Sequence, residues 1–277
     1  MHKDGKWAKQ IISLQDSEGK WGCFHSLSQF YDASMTTEQA LRRLEILGFT
    51  IEDPCIQKAV SYMIDCLEGR KAIPDRWEKV SDWDVFSNLI LATWIRRFIS
   101  DCDPANEIAG KWSKVVTAAF AHGSYDEVSY EAAYRDILEP KYGRINGFSM
   151  FYPVSLLYGC LDTKTERAML QYLLQRESGI YYIYDRKLSD LPEYFASREA
   201  SRYLGAVELL SGYSTARYYL GFVVDWLLTH RNTRGKWDMG SSVKDKVYFP
   251  LSDDWHRRDI READCTQRID KLLSKLR

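Results

Sequence analysis

Carboxylates, a histidine and arginines gather beside tryptophan and tyrosine at three places in the sequence. Asp82-Trp83-Asp84 opens one apolar stretch, Glu193 and Tyr194 with Arg198 and Glu199 open another, and Asp253-Asp254-Trp255-His256-Arg257 precedes a third. Held together, side chains of these types support general acid–base work on a ligand gripped by ring faces. Asp82, Asp84, Asp254 and His256 are the candidate proton carriers. His256 is the best placed of the 5 histidines, because imidazole titrates near neutrality and Asp253, Asp254 and Asp259 stand nearby to tune it. Trp83, Tyr182, Tyr194 and Trp255 are candidate ligand-facing rings. Arg198 and Arg257 stand beside them, and the Arg257-Arg258 pair suits a phosphate or carboxylate. Upstream, Cys23 lies two residues from His25, a pairing used by nucleophilic and metal sites. Trp21 and His25 complete the candidate ligand contacts, and no metal site is assigned. A structural account competes throughout. Acidic residues are favoured in any first helical turn, Ser81 with Asp84 makes a capping pair, and Asp253 and Asp254 suit a cap on the last helix.

Positioning these groups falls to a repeat in the turns. Leu14-Gln15-Asp16-Ser17-Glu18-Gly19-Lys20-Trp21 is an apolar helix end, a polar turn with glycine, then tryptophan. Leu228 to Trp237 follows the same grammar, and Leu174-Gln175 through Gly179 to Tyr181 follows it with tyrosine. Fainter copies are Leu67-Glu68-Gly69 and Phe120 to Tyr125. The opening apolar residues, at 14, 67, 120, 174 and 228, stand 53 or 54 residues apart. Between the turns, apolar residues recur at helical spacing over 40–47, 56–67, 85–98, 108–120, 165–174, 194–210, 216–228 and 260–276. Short breaks at 48–54, 101–104 and 211–214 join the two helices of a unit. Long polar stretches at 19–34, 69–81, 179–193 and 235–255 follow the turns. Tyr181 to Tyr184 reads either as a short β-ribbon or as residues lining a cavity.

A unit of two helices cannot bury both of them alone, so neighbouring units must stack. The helix before Leu14 and the helix over 260–276 each lack a partner, and pairing them closes the stack. The expected fold is all-α: a single domain over residues 1–277, an α/α toroid of about five helical hairpins with inner and outer layers. Inner helices that follow the long loops start at one mouth, where the candidate residues converge.

The turn Gln15-x-x-x-Gly19-x-Trp21 resembles the QW motif of the squalene and oxidosqualene cyclases, whose α/α toroid is shared with protein prenyltransferase β-subunits. Gly235-x-Trp237 keeps the last two positions with Arg231 in place of glutamine. Gln175-x-x-x-Gly179-x-Tyr181 keeps the first two. In that family the turn is a structural device, tying helices by glutamine hydrogen bonds and tryptophan stacking. The resemblance implies a toroid with an apolar or isoprenoid-type small molecule in its central cavity. The family's catalytic motifs are incomplete here. Asp82-Trp83-Asp84-Val85 lacks the last aspartate of the Asp-x-Asp-Asp acid motif, and Asp253-Asp254-Trp255-His256-Arg257 ends in a cation where the magnesium motif has aspartate. Asp264-Cys265 lacks the histidine of the prenyltransferase zinc site.

Composition narrows the remaining classes. The 38 Lys+Arg balance 39 Asp+Glu, which provides no basic excess for nucleic acid. A hydrophobic share of 45% supports a sizeable core, and no apolar run is long enough to span a bilayer. MHKDGKWAKQ lacks the apolar stretch of a secretory signal, so the expected compartment is cytoplasmic. The 6 cysteines, irregularly spaced, read as free thiols. No dinucleotide, Walker, zincin or nucleophile-elbow motif is present, and no cofactor is specified. Three functions stay open. They are an isoprenoid or apolar-ligand binder or enzyme, a carbohydrate-active toroid using two carboxylates, and a non-catalytic scaffold for a protein or peptide.

Overall fold

The computed structural model describes residues 2–25, 35–75 and 80–277; residues 26–34 and 76–79, parts of the first two long polar stretches, lie outside the described residues. The described chain is all-α. Its helices are α1 (Lys6–Ile12), α2 (Thr37–Ile46), α3 (Pro54–Leu67), α4 (Trp83–Phe98), α5 (Asp103–Ala119) and α6 (Glu127–Leu138), then α7 (Phe151–Leu156), α8 (Thr163–Gln175), α9 (Arg198–Leu210), α10 (Gly221–Thr229) and α11 (Arg258–Leu276). By contact density it packs as two compact units. One comprises Met1–Val115 with Glu131–Gly147, the other Val116–Tyr130 with Phe148–Arg277.

In the first unit α3 lies along α4, and α1 meets α2. Thr36 opens α2 with a capping box: its hydroxyl accepts the Gln39 N–H while the Gln39 side chain accepts the Thr36 N–H. Pro54 occupies the first turn of α3, where no intrahelical donor is needed. The apolar run in α4 is buried all round, from Leu89 through Ile95, as its lack of a polar face requires. In the second unit α7 packs on α9, and α10 on α11. The 194–210 pattern becomes a helix only from Arg198, because the Ser197 hydroxyl caps the Ala200 N–H. The 216–228 pattern divides into a 3-10 turn at Ala216–Tyr218 and α10. Helices α6 and α7 are additions to the sequence reading. α7 carries Pro153 within its first turn, where the missing N–H costs nothing.

Two of the repeated turns share one hydrogen-bonding plan. In the first, Gln15 Nε2 donates to Gly19 O at 2.9 Å, Asp16 Oδ1 accepts the Glu18, Gly19 and Lys20 N–H groups, and Trp21 Nε1 reaches back to Ile11 O at 2.7 Å. In the last, Arg231 Nε donates to Gly235 O at 2.7 Å, Asn232 Oδ1 accepts the Arg234 and Lys236 N–H groups, and Trp237 Nε1 reaches Leu227 O at 2.6 Å. Each turn then docks on a helix through a threonine. Trp21 N–H donates to Thr37 Oγ1 on α2, and Trp237 N–H to Thr266 Oγ1 on α11. Gln15 makes one bond more, to Cys55 O at the start of α3. Gly19 is fixed by two constraints: its φ is +100°, and a Cβ there would lie 2.5 Å from Lys58 O.

The middle turn departs from the expected alignment. Arg176, not Gln175, donates to Gly179 O, at 2.8 Å. Ile180 is the residue that is buried, while Tyr181 is 55% exposed. The cause lies in the backbone, since Tyr181 exchanges hydrogen bonds with Ser149 O and Phe151 N–H and its ring is turned outward. The β-ribbon reading gives way too. Two isolated bridges, Ile180 to Tyr184 and Tyr181 to Met150, touch the run and do not extend into a strand. Leu67-Glu68-Gly69 proves to be a helix end alone, with Arg70 N–H on Asp65 O and Gly69 N–H on Cys66 O.

Candidate functional site

Each proton-carrier candidate takes its position from a helix start. Asp82, not Ser81 with Asp84, caps α4. Its Oδ1 accepts the Val85 N–H at 3.1 Å and its Oδ2 the Lys141 N–H at 2.8 Å, so both oxygens of this buried carboxylate serve backbone donors. Ser81 instead donates its hydroxyl to Asn146 Oδ1. Asp84 is exposed and paired with Lys141 at 2.8 Å. Trp83 is half-buried, and its N–H donates to Tyr142 Oη.

The structure brings His25 and Trp83 together around Phe86. The His25 ring meets Phe86 edge-on at 5.4 Å, and Trp83 lies 6.2 Å from the same ring. His25 is buried, with Nε2 3.7 Å from Glu38 Oε2, and Arg42 donates to Glu38 Oε1 at 2.9 Å. This Arg42–Glu38–His25 series escaped the sequence reading. Its one local signal is the i,i+4 spacing of Glu38 and Arg42 on α2. Cys23 packs close by, its thiol 3.7 Å from Pro74 O. Asp75 takes the Phe24 and His25 N–H groups on separate oxygens. Trp21 belongs to the turn described above, with its indole N–H committed to Ile11 O.

The remaining candidates lie in the second unit. His256 is exposed, and its Nε2 is 3.1 Å from Lys244 Nζ. Of the aspartates near it in sequence, Asp259 pairs with Arg257 at 2.7 Å, and the Lys244 cation faces the imidazole. Folding of the 235–255 loop brings Lys244 there, twelve residues away in sequence. Asp254 is exposed, and its carbonyl accepts the Arg257 N–H. Trp255 is buried against Phe249 at 4.8 Å, and its carbonyl accepts from Arg261. Arg198 is exposed at the start of α9, while its neighbour Glu199 accepts from Tyr184 Oη and Arg186. Tyr194 is exposed, and a hydrogen bond to Glu193 raises the pKa of its phenol. Tyr182 sits at φ +74°, a costly backbone for a bulky residue, with its ring 4.2 Å from Tyr181 and 5.7 Å from Tyr152.

One pocket in this unit has no counterpart among the sequence candidates. It has a volume of about 460 Å³ and is lined by Thr163, Lys164, Arg167, Ala168 and Gln171 of α8, with Gly123 and Tyr219. Arg167 and Arg217 both stand over the exposed Tyr218 ring, at 5.7 and 5.0 Å from its centre. Lys164 and Arg167 lie three residues apart on a helix and so share a face, a spacing too common to mark a site in sequence. No protein-family model matches the chain, and neither does any curated protein or solved structure.

Proposed function

We propose that the chain is a non-catalytic scaffold for a protein or peptide partner, built as a closed α/α toroid of helical hairpins and working in the cytoplasm. The observation that carries this reading is Asp82. The one buried carboxylate among the proton-carrier candidates spends both oxygens on backbone N–H groups. The rings offered for ligand contact support it in the same way, since Trp21 and Trp255 are core side chains. Exposed tyrosines at 181, 194 and 218 supply the amphipathic surface that protein contacts favour. The ring rests on the paired turns at Trp21 and Trp237, and the cytoplasmic setting on six free thiols.

Thermal-shift titration with prenyl diphosphates, triterpenes and oligosaccharides tests the absence of catalysis. None of these raises the melting temperature on this reading. Asp84→Asn and His256→Ala, both surface changes, move it by no more than about 2 °C, whereas Asp82→Ala loses about 1 kcal/mol with its cap. A triterpene shift that Trp83→Ala abolishes overturns the scaffold in favour of an apolar-ligand site. Closure has its own measurement, the distance between spin labels on α1 and α11. Adjacent helices lie about 10 Å apart, so an open row of five hairpins separates its ends by roughly 40 Å. A separation of that size removes the ring.

A further inference from the structure

The pocket on α8 sets two cations, Lys164 and Arg167, over an apolar lining, with Lys164 Nζ 3.4 Å from Ala121 O. Lys164, Arg167 and Gln171 stand along one helix face, Ala168 lies beneath them, Thr163 adds a hydroxyl, and Tyr219 forms a wall. Its volume of about 460 Å³ falls within the range of small-ligand sites. The Tyr218 ring holds Arg167 and Arg217 on the same small surface, and Arg217 Nη2 also bonds Tyr218 Oη at 3.0 Å. Guanidinium groups set by stacking are partly ordered before an anion arrives. The two acids nearest in sequence are turned to the protein's own donors. Asp162 accepts the Lys164 and Thr165 N–H groups and the Thr165 hydroxyl. Glu166 is buried and accepts from Ser214 Oγ, Thr215 N–H and Thr215 Oγ1. Asp162 already caps the N–H groups of α8, so the positive character of the pocket comes from side chains and not from the helix end.

We propose that this pocket binds a phosphate monoester. Lys164 and Arg167 meet two phosphate oxygens, Gln171 and Thr163 donate to the remainder, and the ester group lies against Tyr219. A dianion with three acceptor oxygens matches two neighbouring cations better than a carboxylate does. The site is independent of the scaffold reading and survives or fails without it.

Isothermal titration of the full chain with phenyl phosphate is the test, with phenyl sulfate and a phosphoserine peptide as further arms. Phenyl phosphate should bind, and Arg167→Gln and Lys164→Gln should each weaken it about tenfold or more, as loss of a charge-assisted bond requires. Both side chains are exposed, so far-UV circular dichroism should be unchanged in the variants. Affinity should fall between about pH 7.5 and 5.5, because the ester takes up a proton near pH 6. Phenyl sulfate, a fixed monoanion, should bind more weakly and without that dependence. Tighter binding of the phosphopeptide than of phenyl phosphate assigns the phosphate to a protein side chain; equal or weaker binding assigns it to a small molecule. No binding of either at about 10 mM, at the weak limit of specific affinity, overturns the proposal. So does binding that Arg167→Gln leaves intact.

Discussion

Trp237→Ala is expected to remove about 3–5 kcal/mol from the unfolding free energy, and Trp21→Ala a similar amount. Both indoles are 1% exposed, so truncation opens a ring-sized void that the neighbouring helices cannot close without moving. Truncation also removes a hydrogen bond. Leu227 O and Ile11 O each lose a short indole donor but keep a backbone one, from His230 N–H at 3.2 Å and Leu14 N–H at 3.1 Å, so the lost bond costs about 0.5–1.5 kcal/mol. Phenylalanine separates the two contributions, since it refills most of the volume while deleting the indole donor. Trp237→Phe should therefore retain roughly half of the lost stability. Thr266→Val probes the second attachment, deleting the hydroxyl that receives the Trp237 N–H, for about 1 kcal/mol. Urea unfolding measures all of these. A loss below about 1 kcal/mol for both alanine variants would show that the turns are ornaments and not ties, because ordinary surface changes fall in that range.

The equivalence of those two turns was legible because it depends on local chemistry. Glycine at a positive φ, a side chain that can donate across four residues, and an indole reaching ten residues back are all set within one short segment. Arginine replaces glutamine at 231 without changing the bond, since the turn needs a donor of the right reach and not a particular amide. The middle turn was misaligned by one residue for a reason outside the segment. Its register is set by hydrogen bonds to Ser149 and Phe151, and nothing near Tyr181 in sequence announces them. Helices with dense apolar periodicity, such as α3 and α4, could be read directly. α6 could not, because Tyr130 and Tyr134 are its buried pair while Val128, its one β-branched aliphatic residue in the first turn, faces solvent.

The candidate site shows the same division. That acids at a helix start serve as caps was foreseeable from the pattern alone, and Asp82 does so, though the choice between Ser81, Asp82 and Asp84 rests on Lys141, which arrives from a distant loop. His256 shows the limit more plainly. Three aspartates lie near it in sequence, yet one is held by Arg257 and the ring faces Lys244. Aromatic content was likewise ambiguous, because tryptophan in a core and tryptophan lining a cavity have the same composition. The buried positions of Trp21 and Trp255 decide those two cases.

The largest electrostatic effect is expected at Arg268, in the middle of α11. Its Nε and Nη2 grip Glu208 at 2.6 and 2.9 Å, Nη1 and Nη2 donate to Ser201 Oγ and O at 3.0 Å, and the guanidinium lies 4.5 Å from Tyr248 and 5.0 Å from Phe249. Burial opposes the charge, but the Glu208 carboxylate outweighs it and raises the arginine's pKa above its ordinary value. Ser201 links the pair onward to Asp245, which also accepts the N–H groups of Val247, Tyr248 and Phe249 and so shapes the loop that covers the arginine. Arg268→Ala should cost about 3–5 kcal/mol, since it leaves Glu208 without its partner, removes two donors from Ser201 and empties the space between two rings. Glu208→Gln should cost about 2–3 kcal/mol, because the amide oxygen still accepts one bond from Arg268 while its NH2 meets the second donor and the buried guanidinium loses its counter-charge. Arg268→Met, Glu208→Leu and the two together make a double-mutant cycle, in which the double variant should recover most of the alanine loss, as apolar replacement of a largely buried ion pair is often neutral. Additive losses in that double-mutant cycle would mean that the two side chains act separately and that the ring contacts alone hold Arg268.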